Sequence, residues 1–203
     1  IMGVDCYGLS PYNPKNLEQP TIDWDKKPSK EEQNKFWEAL DEYEKAIPGY
    51  KFRNNWWYWR PMWNYACDLA IKHNVITKEI KKWGEENSHK DVDAKIAKKW
   101  GELILWDISE GNPRDYEEEY MQEYKLAQEH NNLIDSALEI LREVVKAETG
   151  DENIVPNDYP KEHAKSWKDL WAKRQQQGMY PFSEENLKEF AMFMKESGGF
   201  TIT

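Results

Sequence analysis

The sequence is poor in cysteine and has no long apolar run. Its only cysteines, Cys6 and Cys67, cannot build a framework of several disulfides, so we expect a reduced, intracellular protein in which both thiols are small buried apolar groups. No run of about 20 apolar residues is present, which excludes a helical membrane span within this sequence. No stretch of basic, apolar and then small residues marks a signal peptide. We expect Met2 to be the first native residue.

Positive charge is also scarce. The chain of 203 residues carries 28 lysines and arginines against 38 aspartates and glutamates, and its formal net charge is -10. Proteins that bind nucleic acid or anionic membranes without specificity need the opposite sign. The composition therefore excludes general nucleic-acid binding and adhesion to an acidic membrane.

Catalytic and metal-binding motifs are missing as well. The sequence has no glycine-rich phosphate loop, no Gly-x-Ser-x-Gly elbow, no His-Glu-x-x-His and no Cys-x-x-Cys. Glu86-Asn87-Ser88-His89 has Glu-x-x-His spacing, but it falls in a predicted loop and supplies at most half of a metal site. We therefore predict no metal, no cofactor and no catalytic residues, and we lean against an enzyme.

Aromatic residues are abundant, and they are concentrated in one stretch. The chain has 11 tryptophans, and Arg53–Trp63 joins five aromatic rings to two arginines and two asparagines. Pro61 lacks an amide hydrogen and favours the first turn of a helix, so a strand is predicted over residues 51–58 and a helix after Pro61. This arrangement places Arg60 beside the free amides of a helix start, where anions bind.

Two interpretations of this aromatic stretch remain open at the level of sequence. The rings are either a hinge of the core, because tryptophan and tyrosine bury large areas, or a platform on which a nucleobase or a sugar stacks. On the second interpretation, arginine and asparagine donors hold a phosphate or hydroxyl groups, and Asp5 in the first strand pairs with Arg53 or Arg60. The predicted ligand-binding residues are Asp5, Arg53, Asn54, Asn55, Trp56, Trp57, Tyr58, Trp59 and Arg60.

The predicted fold is α+β and mostly helical, in a single domain over residues 1–203. About six helices surround a three-stranded sheet with strands at residues 3–9, 51–58 and 199–203, so that both termini lie beside the aromatic strand. Four prolines make residues 10–28 an irregular covering arm.

Helix boundaries are predicted from local signals. Ser29-Lys30-Glu31-Glu32 has the form of a capping box, and Ser183 begins the last helix. A helix is expected to begin at Asp91, a long one to cover about residues 114–149, and another to end near Gly178.

Three segments resemble a group of small proteins from tailed bacteriophages. They are Met2-Gly3-Val4-Asp5-Cys6-Tyr7-Gly8, the Arg53–Trp63 block and Ser197-Gly198-Gly199-Phe200. Members of that group start Met-Gly-Leu-Asp-x-Tyr, carry a central Tyr/Trp-Trp-Arg segment leading into a helix, and end in Gly-Gly-Phe. Val4 replaces the usual leucine here, and the middle of the chain has no counterpart. The resemblance implies a setting, the cytoplasm of an infected bacterium, where small non-enzymatic binders that counter host defence are common.

Three functions are consistent with these patterns. The first is a binding protein that captures a small anionic, nucleotide-like ligand on the Trp/Tyr/Arg platform. The second is an interaction protein that grips a host or phage protein through the same aromatic residues, which dominate interface hot spots. The third is a hydrolase or transferase acting on a nucleotide or sugar, with Asp5 as its carboxylate. The oligomeric state and the exposure of the aromatic rings are left open.

Overall fold

The computed structural model describes residues 3–86 and 88–203. Met2, the expected first native residue, and Asn87, which belongs to the Glu-x-x-His spacing, lie outside these ranges. The helices and strands are β1 (Gly3–Gly8), α1 (Lys30–Ala46), β2 (Lys51–Asn55), α2 (Trp56–Lys72), α3 (Lys78–Glu86), β3 (Asp91–Val92), α4 (Ala94–Ser109), α5 (Asn112–Thr149), α6 (Lys161–Trp171), α7 (Glu184–Glu196) and β4 (Phe200–Ile202).

The predicted class is confirmed, but two of its details are wrong. The described residues form seven α-helices instead of about six, and a four-stranded antiparallel sheet instead of a three-stranded one. The additional strand, β3, lies where a helix was predicted to begin at Asp91. Asp93 caps that helix instead, because its side chain accepts from the amides of Lys95 and Ile96.

The sheet has the strand order β2-β1-β4-β3. β1 is central and pairs with both β2 and β4, with Cys6 opposite Phe52 on one side and Ile202 on the other. The alternation of a strand sends these three side chains to the same face, where all are buried. The other face carries Asp5 opposite Arg53, which makes it the polar face.

Helix α7 covers the buried face of the sheet. Phe190 contacts Phe52 with ring centroids 5.1 Å apart, and it also meets Phe200 at 5.9 Å. Helix α4 packs closely against α7 because position 101 is glycine, where a Cβ atom would lie 2.6 Å from the Ala191 carbonyl oxygen. The core of this part of the chain is therefore an aromatic layer between the sheet and α7.

Several predicted boundaries are confirmed. Ser29 and Glu32 form the reciprocal capping box, and Ser183 caps α7 by accepting from the Asn186 amide. Residues 10–28 contain only a short 3-10 turn at Trp24–Lys26, as expected for an irregular arm. Helix α6 ends at Trp171, seven residues before the predicted end near Gly178.

The chain divides into two compact units. The first contains the described residues up to Asp115 together with Ser183–Thr203, and the second is Tyr116–Phe182. The first unit is thus discontinuous in sequence, and the second is inserted into it. The two ends of the second unit meet, because the rings of Tyr116 and Phe182 are in edge contact at 4.9 Å. The single domain over residues 1–203 stays a prediction.

Among the described helices, none combines the length and apolar character that crossing a bilayer requires. Within the same described ranges, no group of three or more histidine, cysteine, aspartate or glutamate side chains is placed to hold a metal ion.

Candidate ligand-binding site

The aromatic stretch turns from strand to helix earlier than predicted. Asn55 is extended and accepts hydrogen bonds from the amides of Trp57 and Tyr58, both at 3.0 Å, so α2 begins at Trp56. The prediction of a strand through Tyr58 is therefore wrong, and Pro61 lies inside the helix, not in its first turn. The predicted placement of Arg60 beside free amides of the helix start is also wrong, because Asn55 accepts hydrogen bonds from two of these amides and Arg60 lies in the second turn.

Helical periodicity separates the rings into buried and exposed groups. Trp59 and Trp63 are four residues apart and each is 1% exposed, whereas Trp57 is 44% and Tyr58 39% exposed. Trp56 is half-buried between the two groups. One face of α2 therefore belongs to the core and the other reaches solvent. The interpretation of the stretch as a stacking platform stays a prediction.

The buried pair is held rigidly. The rings of Trp59 and Trp63 stack with centroids 4.9 Å apart and an interplanar angle of 17°. The indole N–H of Trp59 donates to the Gly84 carbonyl at 2.9 Å, and that of Trp63 donates to the Lys81 carbonyl at 2.8 Å. Two hydrogen bonds thus fasten α2 to α3 while satisfying both buried donors.

A cleft of about 250 Å³ opens beside this pair. Its walls come from α2 and from the last turn of α3. The Arg60 guanidinium lies over the Trp56 ring at 5.1 Å from its centroid, a distance at which a cation is attracted to the ring face. The lining residues are Trp56, Trp59, Arg60, Trp63, Asn64, Gly84 and Glu85.

The other predicted site residues lie elsewhere. Arg53 pairs with Asp5 on the polar face of the sheet, with Nε and Oδ1 3.7 Å apart, which confirms the expected ion pair but is too long for a hydrogen bond. Asn54 is buried and donates to Asn186 Oδ1 at 3.0 Å, so it joins β2 to α7. Neither Arg53 nor Asn54 lines the cleft.

The structure therefore brings together three of the nine predicted residues, Trp56, Trp59 and Arg60. Sequence reasoning missed Trp63 and Asn64, which lie one turn after Trp59 and Arg60 and are predictable from helical spacing once the helix is placed. It also missed Gly84 and Glu85, which carry no local signal because their position depends on the packing of α3 against α2.

The thiols of Cys6 and Cys67 do not supply a nucleophile in the first unit. Cys6 and Cys67 are fully buried, and burial raises the pKa of both well above the ordinary value. A buried neutral thiol is unreactive at physiological pH.

A second aromatic groove, of about 440 Å³, lies in the inserted unit and was not predicted. Trp167 and Trp171 line it with nearly parallel rings, 6.5 Å apart, and Lys168 lies on the same wall. The Arg174 guanidinium lies over Trp171 at 4.9 Å and Arg142 over Trp167 at 5.7 Å. Variants of this groove therefore serve as controls for ligand binding assigned to the Trp56 cleft.

In comparisons with known proteins, no family model, curated protein or solved structure matches the chain.

Proposed function

We propose that the cleft beside Trp56 binds a small, ring-bearing anionic ligand of the nucleotide class, and that the protein captures this ligand without converting it. The observation that carries the proposal is the position of Arg60 over the Trp56 ring on the wall of a concave cleft. An aromatic face binds a base by stacking, worth about 1–3 kcal/mol. A guanidinium binds a phosphate through paired, charge-assisted hydrogen bonds.

The polar lining favours a base that carries an amino group. Glu85 is an acceptor when ionised, and it repels a ligand that presents only negative charge. An exocyclic amino group donates to a carboxylate, whereas Asn64 both donates and accepts. A nucleotide with such a group offers a donor for Glu85 and a phosphate for Arg60, and both residues line the cleft.

The size of the cleft sets an upper limit on the ligand that we propose. Small-molecule pockets hold about 300–1,000 Å³, and this cleft of about 250 Å³ is below that range, which favours a ligand no larger than a single nucleotide. Its floor is preorganised, because Trp59 and Trp63 are fixed by stacking and by their bonds to α3. A rigid floor reduces the entropy lost on binding.

The biological role of capture is proposed from the resemblance to phage proteins alone. In an infected bacterium, removal of a nucleotide-type signal from solution counters host defence without any catalytic step. Binding needs only the Trp56 ring, the Arg60 guanidinium and the polar lining of the cleft.

Native mass spectrometry with AMP, CMP, UMP and inorganic phosphate as separate probes tests the proposal. We expect adducts with AMP and CMP, a weaker one with UMP, which lacks the amino group, and none with phosphate. Arg60→Ala should weaken binding about 10- to 100-fold, because a hydrogen bond to a charged group contributes about 1.5–3 kcal/mol.

Two variants serve as controls. Arg53→Ala removes an arginine outside the cleft, and Trp171→Ala removes a ring of the second groove, so both should retain the AMP adduct. Absence of any nucleotide adduct, or AMP binding in Arg60→Ala that is as strong as in the parent, contradicts the proposal. Equal binding of AMP and UMP contradicts the role given to Glu85.

The second candidate is protein binding through the exposed side of the same stretch. Trp57 and Tyr58 reach solvent and do not line the cleft, and their residue types are frequent in interface hot spots. Replacing Trp57 and Tyr58 by alanine should abolish such a complex while the AMP adduct persists. Trp59→Ala is not a usable variant for this purpose, because Trp59 belongs to the core.

A further inference from the structure

A groove of about 450 Å³ lies between the last turns of α2 and helix α3. We call it the lysine groove, because four lysines line it together with two carboxylates. These charged residues are Lys72, Lys78, Lys81, Lys82, Asp68 and Glu85. The lining therefore has a formal charge of +2, although the net charge of the whole chain is -10. A concave surface lined mainly by one sign of charge attracts ligands of the opposite sign, which are anions here.

Lys81 joins the two walls of the lysine groove. Its ammonium group donates to the Asp68 carboxylate on α2 at 2.7 Å, which neutralises one of the two acids. Its carbonyl group accepts the indole N–H of Trp63, also on α2, at 2.8 Å. Two bonds at one residue of α3 thus fix the separation of the walls, so the groove is formed before any ligand binds.

The other three lysines of the groove make no ion pair with a carboxylate in the part of the chain that the structure describes. Lys72 ends α2, where the helix dipole favours a cation. Lys78 and Lys82 lie four residues apart in α3, and like charges at this spacing destabilise a helix. Helix stability therefore accounts for Lys72 but not for Lys78 and Lys82.

Helix α4 contains the same lysine spacing outside the groove. The five residues Lys-Lys-Trp-Gly-Glu occur in both α3 and α4. In this alignment Lys95 of α4 corresponds to Lys78, and Lys99 corresponds to Lys82. Both lysines of α4 are exposed, and neither lines the lysine groove. The two helices therefore offer a matched pair of sites from which the same charges can be removed.

We propose that the lysine groove binds a short chain of linked phosphates, whose charge is neutralised by Lys72, Lys78 and Lys82. Lysine acts as a point charge on a flexible stem, which suits phosphates that follow one another along a chain. A single phosphate carries about 1.5 to 2 negative charges at pH 7, so it leaves one of the three cations unmatched. Nucleic acid matches less well, because its charge continues beyond the groove, where this acidic chain repels it.

The lysine groove and the Trp56 cleft share one lining residue, Glu85. Its carboxylate stands at the boundary of the two sites and repels an anion that would extend from one into the other. We therefore expect the two sites to bind their ligands separately. The inference about the groove does not depend on the ligand of the cleft.

Isothermal titration calorimetry with tripolyphosphate in about 50 mM salt tests the inference. We expect a single site whose affinity falls as salt is added. The double variant Lys78→Gln, Lys82→Gln should bind about 10- to 30-fold more weakly, because two of the three unpaired cations are lost. The matched variant Lys95→Gln, Lys99→Gln removes the same charge outside the groove and should leave the affinity nearly unchanged. All four lysines are exposed, so both variants should keep the circular dichroism of the parent.

Titration of ATP into Arg60→Ala, which lacks the cation of the Trp56 cleft, distinguishes two sources of the phosphate chain. Binding as tight as that of tripolyphosphate assigns the groove to a phosphate tail as well as to a free chain. Absence of ATP binding restricts the groove to a free chain.

Each contrary result overturns the inference. Absence of tripolyphosphate binding, or an equal loss in the α3 and α4 double variants, shows that the groove is not a site. Equal binding of orthophosphate and tripolyphosphate refutes recognition of a chain. Tighter binding of a short oligothymidylate or of hexaglutamate, weakened by the α3 variant, assigns the groove to another polyanion. AMP binding should persist in the α3 variant, so failure here is distinguishable from failure of the function proposed for the cleft.

Discussion

Gly84→Ala should destabilise the protein, although alanine is ordinarily the better helix former. Gly84 lies in α3 with its backbone against the Trp63 ring, where a Cβ atom would be 2.3 Å from Cε2 and 2.7 Å from Nε1. The ring cannot move aside, because Trp59 lies at 4.9 Å and Trp100 at 5.3 Å from it. The added methyl group must therefore displace α3 from α2.

The magnitude follows from three competing contributions. Alanine in place of glycine stabilises a helix by about 1 kcal/mol. Overpacking a rigid core costs about 1–3 kcal/mol. Displacement of α3 also weakens the bonds from the two indoles to Lys81 and Gly84, and an unsatisfied buried donor costs about 1–3 kcal/mol. The steric and hydrogen-bond costs exceed the gain, and we expect a net loss of about 1–5 kcal/mol.

Urea unfolding followed by circular dichroism measures this loss. Lys82→Ala, on the exposed side of the same helix, should change the free energy of unfolding by less than about 0.5 kcal/mol. Trp63→Phe shortens the ring that meets the new methyl group, so the double variant should be at least about 1 kcal/mol more stable than the sum of the single effects. A Gly84→Ala protein as stable as the parent would refute the reasoning, because it would mean that α3 is free to shift.

Two further predictions concern titratable groups. Tyr120 donates its hydroxyl to the Tyr180 carbonyl at 2.7 Å, and burial raises its pKa from 10.0 to about 12. The folded protein then keeps a proton that the unfolded chain releases, so this contribution to stability is complete below pH 10 and is lost between about pH 10 and 12. Thermal melts should show a smaller loss from pH 8 to 11 in Tyr120→Phe than in the parent, and an equal loss would contradict this assignment. Since burial raises the pKa of the Cys6 and Cys67 thiols, a thiol reagent should label both only after denaturation, and rapid labelling of the native protein would show that one is accessible.

Helix starts that are fixed by residues close in sequence could be predicted. The capping box at Ser29 and the cap at Ser183 each depend on residues within one helical turn, so both helix starts were found. The start of α2 also has a local cause, the side chain of Asn55, but the preference of Pro61 for a first turn predicts a later start. A polar cap at the strand end was the stronger signal, and α2 tolerates the proline within it.

Elements that depend on contacts between residues far apart in sequence could not be predicted. β3 is two residues long and exists because Val92 pairs with Phe200, far along the chain. One wall of the cleft has the same origin, since Gly84 and Glu85 reach it through the packing of α3 on the Trp59 and Trp63 rings. The concentration of aromatic residues in the sequence indicates the wall of the cleft that α2 forms, but it does not distinguish the rings that belong to the core.

The contact between Tyr116 and Phe182 has a consequence for the order of folding. The central pair of the sheet, β1 with β4, joins the start of the chain to residues 200–202, and closing so long a loop in an unfolded chain carries a large entropic cost. Once the inserted unit has folded, its two ends are held within one ring contact of each other. For the rest of the chain, residues 116–182 then act as a short connection. Early folding of the insert thus shortens the effective loop that the sheet must close.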